Sequence, residues 1–453
     1  MATVKLKASF DGVTDVARLD GQSAVGWDDR SMGHYSVWET DPTAALVADV
    51  TFKDGGWSIK TMHFGGAGLD NLTRIRDADA KPNRKIDYLD LGYNSDVVLK
   101  ATRVLNLYGG DGDAHVVSLA ESLIESVYSI VLFAARNTVT TGGGWVSNVF
   151  TGSRNGDGDT IIVGSGGVNS ILTGQGDDKV VVNAGGPTGL ITTGDGHDRV
   201  TVGNGYVGQI DTGKGKDTVK TGAQWVESVL TGDGKDHVTL GSAGVTRVGT
   251  GGDRDVVVTG TGGAGYITLD AGNDLLKVAP TVGGRGVRAQ GSDGTDTINF
   301  TLIRSTGVDI SLERVGTWQL LGQGDDHVGA VSIGQFENTV GTRRSDTLTG
   351  DDGDNTLTGK GGRDVLTGKG GDDLLIGNGG RDVFVFGPHG GNDAIRGFKD
   401  GKDRIKIVGT GESFASLTIE KDAGDLLIDY DGGTITLLGD AATTLTASDF
   451  IFA

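Results

Sequence analysis

The chain has no cysteine, five prolines, and aromatic residues at only 6% of its 453 positions. Without thiols it can form neither disulfides nor thiolate metal sites, so a secreted version would have to be braced by metal rather than sulfur. Basic residues are in deficit: 40 Lys and Arg stand against 60 Asp and Glu, a net charge of −20. That balance argues against nucleic acid and anionic lipid as partners and favours divalent cations. No apolar run approaches the ~18 residues of a membrane-spanning helix, so no transmembrane segment is expected. Residues 1–13 lack the apolar core of a secretory signal peptide, and no cleaved leader is expected. HExxH, GxSxG and Walker-type motifs are missing as well. The seven histidines are scattered. His237 and His327 stand where sister segments have Lys179 and Arg199, which reads as an outward, solvated place.

What the chain has in excess is glycine, 81 residues with no three-residue period, which excludes collagen and an ordinary globule alike. Residues 341–385 divide into nines: GTRRSDTLT, GDDGDNTLT, GKGGRDVLT, GKGGDDLLI and GNGGRDVFV. The sixth place holds Asp346, Asn355, Asp364, Asp373 and Asp382; the eighth holds Leu348, Leu357, Leu366, Leu375 and Phe384. So short a period predicts a solenoid. Three residues with one inward apolar side chain make a short strand, and six Gly/Asp-rich residues make the turn. Two nonapeptides then close one turn of a two-sheet coil. Successive turns would lie about 4.8 Å apart, so sixth-place carboxylates would stack and repel. A hard cation held by carboxylate and backbone carbonyl oxygens removes that repulsion, and this is a calcium inventory.

These nonapeptides resemble the RTX family, the glycine-rich hemolysin-type repeats. The resemblance implies an all-β, right-handed parallel β-solenoid, the RTX β-roll or β-helix, with N- and C-terminal caps. It implies several Ca2+ ions, with Gly359, Gly361, Gly368, Gly370, Gly377 and Gly379 forming the turns around them. Two departures stand out. Asn355 replaces a ligand aspartate, which weakens one site, and Arg343 and Arg344 replace glycines, so that turn is expected to be empty.

Upstream, a longer period carries the same logic. TGQGDDKV (173–180), TGDGHDRV (193–200), TGKGKDTV (212–219) and TGDGKDHV (231–238) align. The row of aspartates is Asp159, Asp178, Asp198, Asp217, Asp236, Asp255 and Asp274, at spacings of 19 or 20 residues. Asp296 and Asp326 continue it loosely, and Asp70, Asp96 and Asp113 sit in similar contexts before it. The other half of each long repeat has a glycine-rich turn without aspartate, so calcium is expected along one edge here and on both edges in the nonapeptide block. Spacing loosens over 279–338, which suggests inserted loops or a junction between two solenoid types. Thr151, Thr173, Thr193, Thr212, Thr231 and Thr250 also recur, as outward strand residues would.

Four segments follow. Residues 1–58, with Trp27, Trp38 and Trp57, form an N-terminal cap or small binding domain; 59–340 form a long solenoid of ~19-residue turns; 341–392 form the nonapeptide β-roll; 393–453 form a C-terminal cap. Within the last, Asp393 lies in a segment (384–405) similar to that following the repeats in many RTX proteins. The final Asp449-Phe450-Ile451-Phe452-Ala453 is similar to the uncleaved signal read by a type I secretion apparatus. The expected protein is secreted to the extracellular space or cell surface, folds on calcium, and is a structural component of a surface layer, matrix, filament or adhesion system. It is open to self-association into a homo-oligomer, filament or lattice and to a cell-surface polysaccharide as partner. No catalytic residues and no enzyme activity are expected. The alternatives are a polysaccharide lyase or epimerase on a solenoid, or an ice-binding or adhesin module using the threonine row.

Overall fold

The computed structural model describes residues 3–10, 16–20, 34–39, 45–52, 58–66, 72–76, 85–91, 94–98, 103–110, 114–119, 126–153, 156–281, 285–322, 326–440 and 442–453. Trp27, Trp57, Asp70 and Asp113 lie outside them, as does the side chain of Trp38. The chain divides into two compact units, Met1–Asp233 and Gly234–Ala453. Both are all-β, and the expected parallel β-solenoid is the fold of each.

In the first unit, Thr3–Phe10 pairs antiparallel with Val16–Asp20 and parallel with Ala45–Phe52. The solenoid proper is two stacks of parallel strands. One runs from His34–Glu39 and Ser58–Gly66 through Trp145–Ser153 and Val168–Gln175 to Val226–Leu230. The other runs from Leu72–Arg76 through Thr160–Val163 and Lys179–Ala184 to Thr218–Lys220. Pairing advances by one repeat, as in Val180 on Val200 and Val200 on Val219. Val and Ile dominate because β-branched side chains suit a half-buried pleat. Every second residue turns inward: Ile161, Val180, Val200 and Val219 are fully buried.

The second unit also has two stacks of parallel strands, beginning at Val245–Gly249 and His237–Thr239. The region of loosened spacing is a change of sheets. Trp318–Leu321 turns back antiparallel on Gly329–Gly334, while Asp309–Ser311 starts a new parallel stack. That stack continues through Thr347–Thr349, Val365–Thr367, Val383–Phe386 and Arg404–Ile407 to Phe450–Phe452. The alternate nonapeptides, Thr356–Thr358 and Leu374–Ile376, join the opposite sheet. Leu348 therefore stacks on Leu366 and Leu357 on Leu375, 18 residues apart, two nonapeptides per turn. All five eighth-place side chains are fully buried. Each such burial contributes about 1.5–3 kcal/mol, and a strand three residues long has little else to hold it. At the C-terminal end Asp425–Tyr430 and Gly433–Leu438 form a hairpin, and Gly433–Leu438 lies parallel to Gly391–Arg396. Phe450, next to the chain end, is buried.

Candidate metal centre

The turn before each inward strand must bring the chain round a tight corner with its polar groups satisfied. An aspartate two residues before the inward apolar side chain does this in nearly every repeat. Its carboxylate points back into the turn, and its Oδ1 accepts the backbone N–H of the aspartate one turn earlier. In the first unit Asp159 N–H donates to Asp178 Oδ1 at 2.7 Å, Asp178 to Asp198 at 2.8 Å and Asp198 to Asp217 at 2.8 Å. In the second unit Asp236 donates to Asp255 at 2.8 Å, Asp255 to Asp274 at 2.7 Å and Asp274 to Asp296 at 2.8 Å. The nonapeptide block has a row on each edge. On one, Asp346 donates to Asp364 at 2.9 Å, Asp364 to Asp382 at 3.0 Å and Asp382 to Asp403 at 3.0 Å. On the other, Asn355 donates to Asp373 at 2.8 Å and Asp373 to Asp393 at 3.1 Å.

All these side chains are at most 3% exposed. Burial pushes the pKa of most of these aspartates up from the ordinary 3.8, and at Asp178, Asp198, Asp255, Asp296, Asp364 and Asp393 a neighbouring carboxylate of the row pushes the same way. Asp159, Asp274 and Asp346 rise to about 6, Asp178, Asp198, Asp296, Asp364, Asp373 and Asp393 to about 7, and Asp255 to about 8. The N–H bond each carboxylate receives works against this, since it favours the charged form.

The rows differ in what meets the second carboxylate oxygen. In the long repeats a threonine stands five residues before the aspartate. The Thr173 hydroxyl donates to Asp178 Oδ2. Thr193, Thr212 and Thr250 hold the same place beside Asp198, Asp217 and Asp255, and their hydroxyls work to lower the pKa of those carboxyls. Each such hydroxyl has one proton and a second acceptor in reach, the carbonyl one turn on: Thr173 to Thr193 at 3.3 Å, Thr193 to Thr212 at 3.3 Å and Thr250 to Leu269 at 3.0 Å. Thr151, Thr173, Thr193, Thr212, Thr231 and Thr250 are fully buried. The expectation that they point outward is corrected: they line the carboxylate row and present no threonine face to ice.

In the nonapeptides that place is glycine. A methyl group on Gly359, Gly368 or Gly377 would collide with Oδ2 of Asp364, Asp373 or Asp382. Those three oxygens are buried and have no hydrogen-bond partner, and neither have Oδ2 of Asp159, Asp198, Asp255, Asp274 and Asp296. The space beside Gly341 and Gly350 is bordered by the carbonyls of Gly359 and Gly368, one turn on. Gly361 and Gly379 pair as adjacent turns, and Gly370 N–H donates to Asp351 O at 3.2 Å. An unpartnered buried carboxylate oxygen costs about 1–3 kcal/mol or more when charged. A calcium ion, which takes 6–8 oxygens including carbonyls, fits this donor set. Among the described residues no three His, Asp or Glu side chains converge on one point, so backbone oxygens would have to complete each shell.

The ends of the row at Asp364 and Asp382 are closed by protein groups. Asp346 accepts from Val308 N–H and the Thr342 hydroxyl on Oδ1, at 2.8 and 2.9 Å, and from Thr342 N–H on Oδ2 at 2.7 Å. Asp403 Oδ2 accepts Lys399 N–H at 2.9 Å. Asn355 is tied to its own turn: Asp351 N–H donates to Asn355 Oδ1 at 2.8 Å, and Asn355 Nδ2 donates to Asp351 Oδ1 at 3.2 Å. Asp326 stands apart from all rows, exposed in a loop. The residue that takes its expected place is Glu337, whose Oε2 accepts Asp296 N–H at 2.6 Å. Sequence reading missed it because the inward residue two places on is Thr339 rather than an apolar one. Asn137, whose N–H donates to Asp159 Oδ1 at 2.6 Å, opens the first unit's row. One turn before it, strand register places buried His115, not Asp113, and Asp96 falls beside Val116. His237 and His327 are exposed, as expected.

No family model and no curated protein matches the chain. Among solved structures it is similar to the extracellular lipase LipA of Serratia marcescens, at 17% identity over 53% of this chain and 40% of the lipase, with a TM-score of 0.20. It is also similar to the AlgE6R3 subunit of the Azotobacter vinelandii mannuronan C5-epimerase, at 28% identity over 24% of this chain and 79% of that one, with a TM-score of 0.13. The chain thus spans well under half the lipase's length. The fold is a parallel β-solenoid. The expectation that the chain is not an enzyme is corrected: both similar structures come from enzymes, and a solenoid of this kind is no argument against catalysis. Among the described residues no helix is long and apolar enough to cross a membrane.

Proposed function

We propose that the chain is a secreted, calcium-dependent β-solenoid whose nonapeptide block folds when calcium binds between its glycine-opened turns. The observation that carries this reading is the set of buried, partnerless second oxygens on Asp364, Asp373 and Asp382, each over a glycine that leaves no room for a side chain. Asp364 and Asp382 would hold ions on one edge and Asp373 on the other, with carbonyls of the turn glycines completing the shells. Asp393 would close the second row. Asp274 and Asp296, with the same open oxygens, would hold ions further up the second unit. The long-repeat aspartates Asp159, Asp178, Asp198, Asp217, Asp236 and Asp255 belong to the same row logic. At Asp178 the Thr173 hydroxyl already occupies the second oxygen, so an ion must displace it, and calcium there would bind more weakly. The turn at Asp346 is closed by Thr342 and needs no ion.

Calcium is scarce in a cytosol and reaches roughly 0.1–1 mM outside cells, the affinity range of extracellular modules. Binding only to the folded state then supplies folding free energy after export. We assign the exit route to a type I apparatus reading the C-terminal residues. The folded solenoid would serve as a scaffold in a surface layer, matrix or adhesion assembly, with a cell-surface polysaccharide or further copies of itself as partners. Limited trypsin digestion tests the folding claim. Lys360, Arg363 and Arg381 are exposed within the block. With calcium at about 1 mM these bonds resist cleavage because the turns are closed; with EGTA they are cut within minutes. Equal resistance in both conditions would contradict the reading.

A further inference from the structure

Four cations converge where the calcium logic is interrupted. A cavity of about 670 Å³ is lined by Arg304, Arg343, Arg344 and Lys360, with Thr301, Leu302 and Ile303 as its remaining wall. Among the described residues no carboxylate lines it, in a chain where acidic residues outnumber basic ones 60 to 40. All four cationic side chains are exposed, and among the described residues none of them makes an ion pair. Like charges held this close repel unless an anion sits among them.

The backbone fixes the cluster in place. Ile303 is 1% exposed, and its N–H donates to Phe300 O at 2.9 Å, which pins the loop that carries Arg304. Arg344 Nε donates to Arg304 O at 3.2 Å, tying that loop to the turn. Arg344 N–H donates to Thr342 Oγ1 at 2.9 Å, and Thr342 in turn closes the carboxylate of Asp346. The turn is therefore complete without metal. Arg343 and Arg344 stand where the nonapeptides two and three places on have Gly361 with Gly362 and Gly370 with Gly371. The glycines of a metal turn have been exchanged for guanidinium groups, and Lys360 joins them from the adjacent turn.

We propose that this cavity binds an oligoanion bearing carboxylate or sulfate groups, of the size of a short acidic oligosaccharide. Guanidinium groups recognise such oxyanions through paired N–H donors, and the volume lies in the range of small-ligand sites rather than that of a single ion. The site stands independently of the calcium reading. It gives an acidic protein one place where it can hold an acidic partner.

The test uses the full chain with calcium present and three fluorescent probes of equal length: an oligouronate, a sulfated oligosaccharide and neutral dextran. Polarisation at about 0.1 M salt should show the two acidic probes binding and the neutral one not. The stronger acidic probe identifies carboxylate or sulfate as the natural group. The substitutions Arg343→Gly and Arg344→Gly together restore the residues of sister turns and should leave the circular dichroism spectrum unchanged while weakening binding at least about tenfold. Arg304→Ser is the independent check and should weaken it as well. Undiminished binding in both variants, binding by neither acidic probe, or equal binding of neutral dextran would overturn the proposal. So would self-association of the wild-type chain that the double variant abolishes without any change in probe binding, since the cations would then face another copy's carboxylates.

Discussion

Asp364→Ala combined with Asp382→Ala raises the calcium concentration needed for half-folding by at least about tenfold, whereas Asp178→Ala shifts it little. The two block aspartates are neighbours in one row, with their first oxygens engaged by backbone N–H groups and their second oxygens partnerless. Removing both takes away the anionic ligands of two adjacent turns. An ion at a hundred times its dissociation constant contributes about 2.7 kcal/mol to the folded state, so losing two costs about 5 kcal/mol. Asp178 is different because the Thr173 hydroxyl already meets its second oxygen. Its loss removes hydrogen bonds worth about 1–3 kcal/mol and no strongly held ion. Calcium titrations followed by far-UV circular dichroism measure both midpoints. Equal shifts in the two variants would sink the distinction between the glycine-opened turns and the turn that Thr173 closes at Asp178.

Without calcium, stability falls as pH rises. Burial, reinforced by neighbouring carboxylates, lifts Asp364, Asp373 and Asp393 to about 7 from the ordinary 3.8. Between those values the folded chain holds protons that the unfolded chain has released, and folding takes protons up. Stability is then greatest below the unfolded pKa and is lost as pH climbs through the folded one. In EGTA the thermal midpoint is therefore higher near pH 5 than near pH 8. Calcium reverses the sign, because it binds the ionised carboxylate and competes with the proton: the calcium midpoint falls as pH rises from about 6 to about 8. Thermal melts across this range, with and without calcium, read both trends. A calcium-free fold that gains stability toward pH 8 would contradict the buried placement of these groups.

The solenoid was legible because its period is short and its inward residues are apolar. Leu348, Leu357, Leu366, Leu375 and Phe384 recur every nine residues, and all are buried, since a three-residue strand has only one side chain to give to the core. The aspartate rows were legible for the same reason, being locked two residues before that side chain. Less could be read where the pattern passes through chemically different residues. Glu337, Asn137 and His115 occupy row positions that a search for aspartate does not find. Asp326 matched the local motif but sits in a loop, because the sheets change partner between Asp309–Ser311 and Gly329–Gly334 and the count of residues per turn breaks there. The threonines looked like outward strand residues. Their place is set by the turn, where the hydroxyl finds the carboxylate five residues on, and spacing alone cannot show on which side of the chain a residue falls. The cation cavity needed three dimensions, since Arg304 lies about forty residues from its companions Arg343 and Arg344.

The central claim is that calcium closes the turns of the nonapeptide block. It is tested most directly by measuring bound calcium and far-UV circular dichroism on one sample at neutral pH, from EGTA to about 1 mM calcium. Uptake of several ions per chain, with a midpoint that coincides with the gain of β-structure, is the predicted result. A β-spectrum already complete in EGTA, with calcium bound afterwards or not at all, would show that the turns close without it.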